Sequence, residues 1–305
     1  MSLILTFSFI LYLGRPNANG VDLNRNFPSQ FKNGKIGKLK KMTKKEILKL
    51  GPSDGSRNNV RNNEHIQPET KAIMKWVLEN PFVLSLILHG GAAGAFFPYD
   101  DGLTDPNGTP NRSGYLSATP DNKLMEYLAT VYSFNHLDMH LGKPCQTGRN
   151  KFSFKNGILN GAEWYPLSGS MNDFNYIFSN SFEVTVELTC CKKPDPSTLP
   201  LEWKKNKNSL VEYLKHAHMG VKGIVTDRRG RRVSGAEIEV MHNDKKIVAT
   251  DRGEYWRLLL PGKYSIRAKS CKSGQCWTSA IKKADVRRDS VEILNFRLRK
   301  RITKY

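Results

Sequence analysis

Hydrophobic positions divide the chain into two unlike stretches. Up to about residue 218 the apolar residues recur at helical spacing or gather in short runs; beyond it they alternate with polar ones. Residues 68–79 open with Pro68 and Glu69, which suit a first helical turn and the positive end of a helix dipole, and they set Ala72, Ile73, Trp76 and Val77 on one face. Asn80-Pro81 stops that helix. The run 82–88, FVLSLIL, is nearly all apolar and ends at His89-Gly90-Gly91, which predicts a central strand buried on both faces of an α/β sheet. Residues 182–188, FEVTVEL, alternate: Phe182, Val184, Val186 and Leu188 share one face, and Glu183, Thr185 and Glu187 the other. A second helix is expected over 201–218, with Trp203, Leu210, Val211, Leu214 and Ala217 at the spacing of an apolar face. Residues 52–65 are polar and read as loop.

Past Gly220 the pattern predicts short strands at 223–227, 236–240, 247–250, 255–260 and 264–268. Turn residues at Asp227-Arg228-Arg229-Gly230, Asn243-Asp244 and Pro261-Gly262 separate them. A spacing of about ten residues implies an all-β sandwich of roughly 80 residues. The fold class expected is therefore α/β followed by a small all-β unit, without internal repeats.

Composition agrees with a globular chain: 305 residues, 39% apolar and 10% aromatic. No stretch reaches the roughly 20 apolar residues that span a bilayer. The most apolar run, residues 1–13, lacks the basic flank and small-residue cleavage site of a signal peptide; a buried strand or a misplaced start are the other readings. The net charge of +20 predicts acidic partners, namely acidic glycans or an anionic membrane surface. Zinc-finger spacing and RNP-like aromatics are missing, so nucleic acid is not expected. The charge gathers in residues 32–49, with eight lysines, and in residues 297–304; such runs are ordinarily solvated. Of the five cysteines, Cys271 and Cys276 are near enough to close a small loop, and the odd count leaves one thiol over. Sequons at Asn107 and Asn111 fit a secreted glycoprotein.

Four features carry candidate chemistry. The stretch GRPNANGVDLNRNF (residues 14–27) holds Arg15 and Arg25 among amides, and a planar guanidinium fork suits a carboxylate; surface arginines are the plain alternative. His89 ends a predicted strand, where open α/β sheets bind ligands. A lone histidine is more often structural, but Gly90 and Gly91 permit close approach. Glu187 is a carboxylate in an apolar strand, which needs a partner or a task. Tyr165, in GAEWYP, stands on a loop within reach of a ligand.

Taken in order, GRPNANGVDLNRNFP, QPETKAIMKW, FVLSLILHGG, FFPYDD, GAEWYPLSGSMNDFNY, FEVTVELTCCKKP and HMGVKGIVTDRRG resemble the regulatory subfamily of zinc metallocarboxypeptidases, those like carboxypeptidases M, N, E and D. The resemblance implies a mixed-sheet carboxypeptidase domain, incomplete at its start, over residues 1–218. It implies a transthyretin-like sandwich over 219–300, with 301–305 as a basic tail. It implies Zn2+, peptides ending in Lys or Arg as substrates, and an extracellular or secretory, membrane-associated setting. By position, His89 matches a zinc ligand, Asn24 and Arg25 the pair that grips the terminal carboxylate, and Arg15 the arginine that polarises the scissile carbonyl. Tyr165 matches the tyrosine over the last residue and Glu187 the general base. Asp100 matches the acid that recognises a basic side chain, and Asn172 stands where relatives usually carry glutamine.

Two departures matter. In the family two further zinc ligands come from an H-x-x-E motif upstream of GRPNANG, and no histidine of this sequence has a glutamate three residues later. Three protein ligands are needed for a catalytic zinc. The sequence as written is therefore expected to lack appreciable peptidase activity and to expose a sheet edge. Ser181 stands where relatives often have cysteine, which leaves the partner of Cys145 open. His136 and His140 read as surface histidines. The two functions to separate are a working carboxypeptidase and a catalytically inactive peptide-binding protein of the same fold.

Overall fold

The apolar run after Pro81 forms β1 (Leu84–His89), and the alternating run forms β4 (Phe182–Glu187). In the computed structural model, which describes residues 16–29, 44–50, 65–102, 114–145, 152–272, 274–288 and 290–300, these two strands lie parallel. Their register puts Leu84 opposite Phe182 and His89 opposite Glu187. β2 (Gly94–Phe97) runs antiparallel to β4, and β3 (Ile158–Asn160) runs parallel to β2, giving the order β1-β4-β2-β3. β4 is thus an inner strand, and its Phe182, Val184 and Val186 are fully buried. Among the described residues β1 pairs only with β4, its residues are mostly half-buried, and Leu88 is 49% exposed. Arg15, the apolar start, both sequons, most of the lysine-rich run and the basic tail lie outside the described residues.

Among the described residues six α-helices accompany the sheet: α1 (Lys44–Ile47), α2 (Pro68–Glu79), α3 (Asn122–Asn135), α4 (Gly161–Trp164), α5 (Met171–Phe178) and α6 (Leu199–Lys215). α2 starts at Pro68 as the sequence indicates, but it buries Thr70, Met74, Val77 and Leu78 and leaves Trp76 56% exposed. Trp76 packs edge-on against Phe82 instead. α6 departs further: Trp203, Val211 and Leu214 face outward, and Asn206, Ser209 and Tyr213 are buried. Directional bonds explain the choice. Tyr132 of α3 donates to Asn206 Oδ1 at 2.8 Å, and Tyr213 donates to the Ser85 carbonyl at 3.0 Å, fixing the polar side of α6 inward. His136 is likewise buried, not on the surface, because its Nδ1 accepts the Met139 backbone N–H at 3.0 Å.

From Gly220 onward every element is a strand. One sheet runs β14 (Arg299–Lys300), β10 (Gln275–Thr278), β9 (Gly262–Lys272), β6 (Glu237–Val240) and β7 (Ile247–Val248), with β11 (Lys282–Val286) also on β9. The other runs β12 (Val291–Ile293), β5 (Gly220–Thr226) and β13 (Phe296–Arg297), with β8 (Glu254–Arg257) on β5. Val221, Val225, Ile238, Ile266 and Phe296, from both sheets, fill one buried core. The chain is thus mixed α/β with all-β strands at its C-terminal end.

Polar groups clamp the strands beyond Gly220 to the preceding part. Arg257 is fully buried and meets Asp121 at 2.7 Å, and Tyr176 donates to the other Asp121 oxygen at 2.9 Å. The Lys245 ammonium donates to the Tyr176 and Ser179 carbonyls at the end of α5. Disulfides join Cys145 to Cys190 and Cys271 to Cys276, and Cys191 is an exposed thiol.

Candidate active site

The C-terminal ends of β1 and β4 open on a cleft of about 390 Å³, partly open to solvent. Asn24, Arg25, His89, Asp100, Tyr165 and Glu187 all line it. Six of the eight residues singled out from the sequence therefore converge, although they span residues 24 to 187. Asn172 stands just behind the wall, and Arg15 lies outside the described residues.

The first wall is the loop around Leu23–Arg25, a turn of 3-10 helix capped by Asp22, whose carboxylate accepts the Asn24 N–H at 3.1 Å. Asn24 Oδ1 accepts the Met171 N–H at 2.9 Å, which ties the loop to the start of α5. Asn26 fastens the other side by accepting the Gln67 N–H at 2.7 Å. Phe27 sinks against Phe174 beside Met74 and Leu78. The loop that carries Arg25 is thus held by packing and backbone bonds at three points, so the guanidinium has a fixed base.

The parallel register of β1 and β4 sets His89 beside Glu187, with Nδ1 and Oε1 3.9 Å apart. Glu183 and Thr185 share the Glu187 face of β4, and Thr185 also lines the cleft. Glu183 is fully buried; its Oε2 accepts from Ser85 Oγ at 2.7 Å and from the Asn175 amide. Burial, above all, pushes its carboxyl up to about 8.

Asp100 forms the floor. It is buried, and its Oδ1 accepts from the Asn172 amide at 2.9 Å. Asp173 accepts the backbone N–H of Asp100 at 2.7 Å and of Asp101 at 2.9 Å, which shapes the turn. Burial raises the Asp100 carboxyl above the usual carboxylate range; bonds from Asn172 and Ser170 and the Arg25 charge oppose that rise. Asp173 is raised further, by burial and then by the Asp100 charge. The Asp100 and Asp173 carboxyls thus lie together at one end of the cleft, and a cation entering there would restore the ionised form of Asp100. Gly161 is required at this point, because a Cβ on it would collide with Asp100 Oδ1. Tyr165 stands at the rim, 37% exposed, with its ring 4.8 Å from that of Trp164, which stacks on Phe96 at 4.5 Å.

Sequence reasoning missed Gly161, Phe96, Trp164, Thr185 and Asp173. Ser170-x-x-Asp173 reads as a helix cap, and Ser170 does accept the Asp173 N–H at 3.2 Å. Nothing local shows that the Asp173 carboxylate also organises the residue 100–101 turn. As for a metal, His89 is the imidazole on the cleft, and among the described residues no group of three His, Cys, Asp or Glu could hold an ion. These residues by themselves do not make a zinc site.

The zinc carboxypeptidase family profile matches residues 8–209. Carboxypeptidase D of Drosophila melanogaster is 42% identical over 284 residues, 93% of this chain and 18% of that protein. The carboxypeptidase N catalytic chain of Rattus norvegicus is 40% identical over 262 residues, 85% of this chain and 53% of that one. Carboxypeptidase M of Mus musculus is 42% identical over 257 residues, 83% of this chain and 50% of that protein. The chain spans about half or less of the length of these relatives.

Proposed function

The chain belongs to the zinc carboxypeptidase family, and we propose that its cleft takes the C-terminal residue of a peptide, with Lys or Arg preferred, and positions it for removal by a zinc ion whose further ligands the described residues do not supply. The observation that carries this is the convergence of a cationic and an amide donor, Arg25 and Asn24, with a buried acid, Asp100, in one cleft. A free C-terminal residue presents a carboxylate and, when basic, a cation, so the cleft matches both ends. Arg25 and Asn24 bind the carboxylate, the arginine by its two-pronged fork. Asp100, held by Asn172, meets the ammonium or guanidinium. Tyr165 covers the residue and excludes water. Glu187, beside His89 on the cleft, would accept the proton of the attacking water and deliver it to the departing amine where a zinc ion supplied the activation of that water. Arg15 is assigned to the scissile carbonyl by its sequence position alone.

Two disulfides support an extracellular or secretory setting. No described helix is long and apolar enough to cross a membrane. The two sheets past Gly220, separate from the β1-β4-β2-β3 sheet, support reading residues 219–300 as a transthyretin-like unit and residues 1–218 as the carboxypeptidase part.

Titration calorimetry with two peptides that differ only in the last residue, Arg against Leu, tests the assignment. The parent should prefer Arg, and Asp100→Asn should lose about 1.5–3 kcal/mol of that preference, the worth of a hydrogen bond to a charged group. An Arg preference unchanged by Asp100→Asn overturns the proposal.

A further inference from the structure

Positive charge is segregated along this chain. Between Lys263 and Lys300 there are eleven Lys and Arg against three Asp and Glu, whereas the cleft above carries Asp100 and Glu187. Part of that basic charge converges on a second concavity, a groove of about 840 Å³ formed where the β10–β11 connection meets β13 and β14. Lys282, Arg297 and Arg299 line it together with Thr226, Ser279 and Asn295. Phe296 and Leu298 point into the core while Arg297 and Arg299 are exposed. On extended backbone that alternation sets the two guanidinium stems on one side, about 7 Å apart. No described carboxylate lies within 4.0 Å of a nitrogen of any of the three cations.

We propose that this groove binds a sulfated polysaccharide chain, independently of the peptide cleft. A row of unneutralised cations inside a concavity fits a linear polyanion that can lie along it, and guanidinium forks meet sulfate oxygens in pairs. The aromatic residue of the groove, Phe296, is 1% exposed and offers no ring face, so single-stranded nucleic acid would lack its stacking platform. A bilayer is flat and cannot enter the groove to reach Arg297 and Arg299, although the adjacent Ile281 is exposed, so vesicles belong in the test.

The full chain is passed over immobilised heparin, selectively desulfated heparin, phosphatidylserine vesicles and a single-stranded oligonucleotide. Lys282→Ser/Arg297→Ser/Arg299→Ser is compared with Lys71→Ser/Lys204→Ser/Lys207→Ser, which removes the same charge from exposed positions of α2 and α6. The groove variant should bind heparin at least about ten-fold more weakly, and its slope of log affinity against log salt should fall by about two to three. The control should stay within about two-fold of the parent, and desulfated heparin should bind neither. Equal losses in both variants would show a net-charge effect and overturn the proposal. So would groove-dependent binding of vesicles or oligonucleotide with heparin unaffected. Unchanged thermal unfolding of the groove variant shows that lost binding is not lost folding.

Discussion

Glu183 gives the sharpest physical prediction, because burial fixes both its sign and its size. Its carboxyl titrates near 4.5 when solvated and is pushed up to about 8 in the folded protein. Between those values the native state holds a proton that the unfolded chain has released. The slope of unfolding free energy with pH follows protons bound by the unfolded state minus those bound by the native state, so it is negative there. Stability is fully present below about 4.5 and falls as pH rises toward about 8. Each pH unit is worth 1.36 kcal/mol, so a gap of about 3.5 units sets a ceiling of about 5 kcal/mol. Glu183→Gln keeps the shape and an acceptor for Ser85 and Asn175 but cannot ionise. Urea unfolding of both proteins from about pH 5 to about pH 8 should show near parity at the acid end and a growing advantage for the variant, reaching several kcal/mol. Parallel curves would refute the buried carboxyl and the packing that places it behind the cleft.

Two further outcomes follow from packing alone. Gly161→Ala should displace Asp100 and weaken binding of an Arg-terminated peptide about ten-fold or more while leaving a Leu-terminated peptide within about two-fold; equal losses for both would show a general collapse of the cleft. Cys190→Ser opens a link of 45 residues and should lower unfolding free energy by about 2–4 kcal/mol; in the folded parent only Cys191 should react with a thiol reagent among the described cysteines, and labelling of Cys145 or Cys271 would contradict the pairing.

Periodicity made the strands legible and misread the helices. β4 alternates between core and cleft faces as its sequence alternates, and Glu187 falls where that alternation puts it. α6 defeats the same reasoning because Asn206, Ser209 and Tyr213 are held inward by bonds to Tyr132 and Ser85 that no local pattern reveals. β1 reads as central from its apolarity, yet the described sheet pairs it only with β4. At the site, residues with recognisable chemistry were found and their supports were not. Arg25 and Glu187 announce themselves as charged groups in glycine-rich or apolar settings, whereas Asp100 and the role of Asn24 came from the family resemblance. Gly161 and Asp173 matter only through contacts with Asp100, more than 60 residues away.

In the proposed function Arg25 and Asn24 hold a terminal carboxylate in the cleft that Asp100 floors. Calorimetry with one Arg-terminated peptide, as the free acid and as the C-terminal amide, reads it most directly. The acid should bind at least about ten-fold tighter, and Arg25→Gln should erase the difference, as expected for losing a charged hydrogen bond of about 1.5–3 kcal/mol. Equal affinity of acid and amide for the parent protein would contradict it.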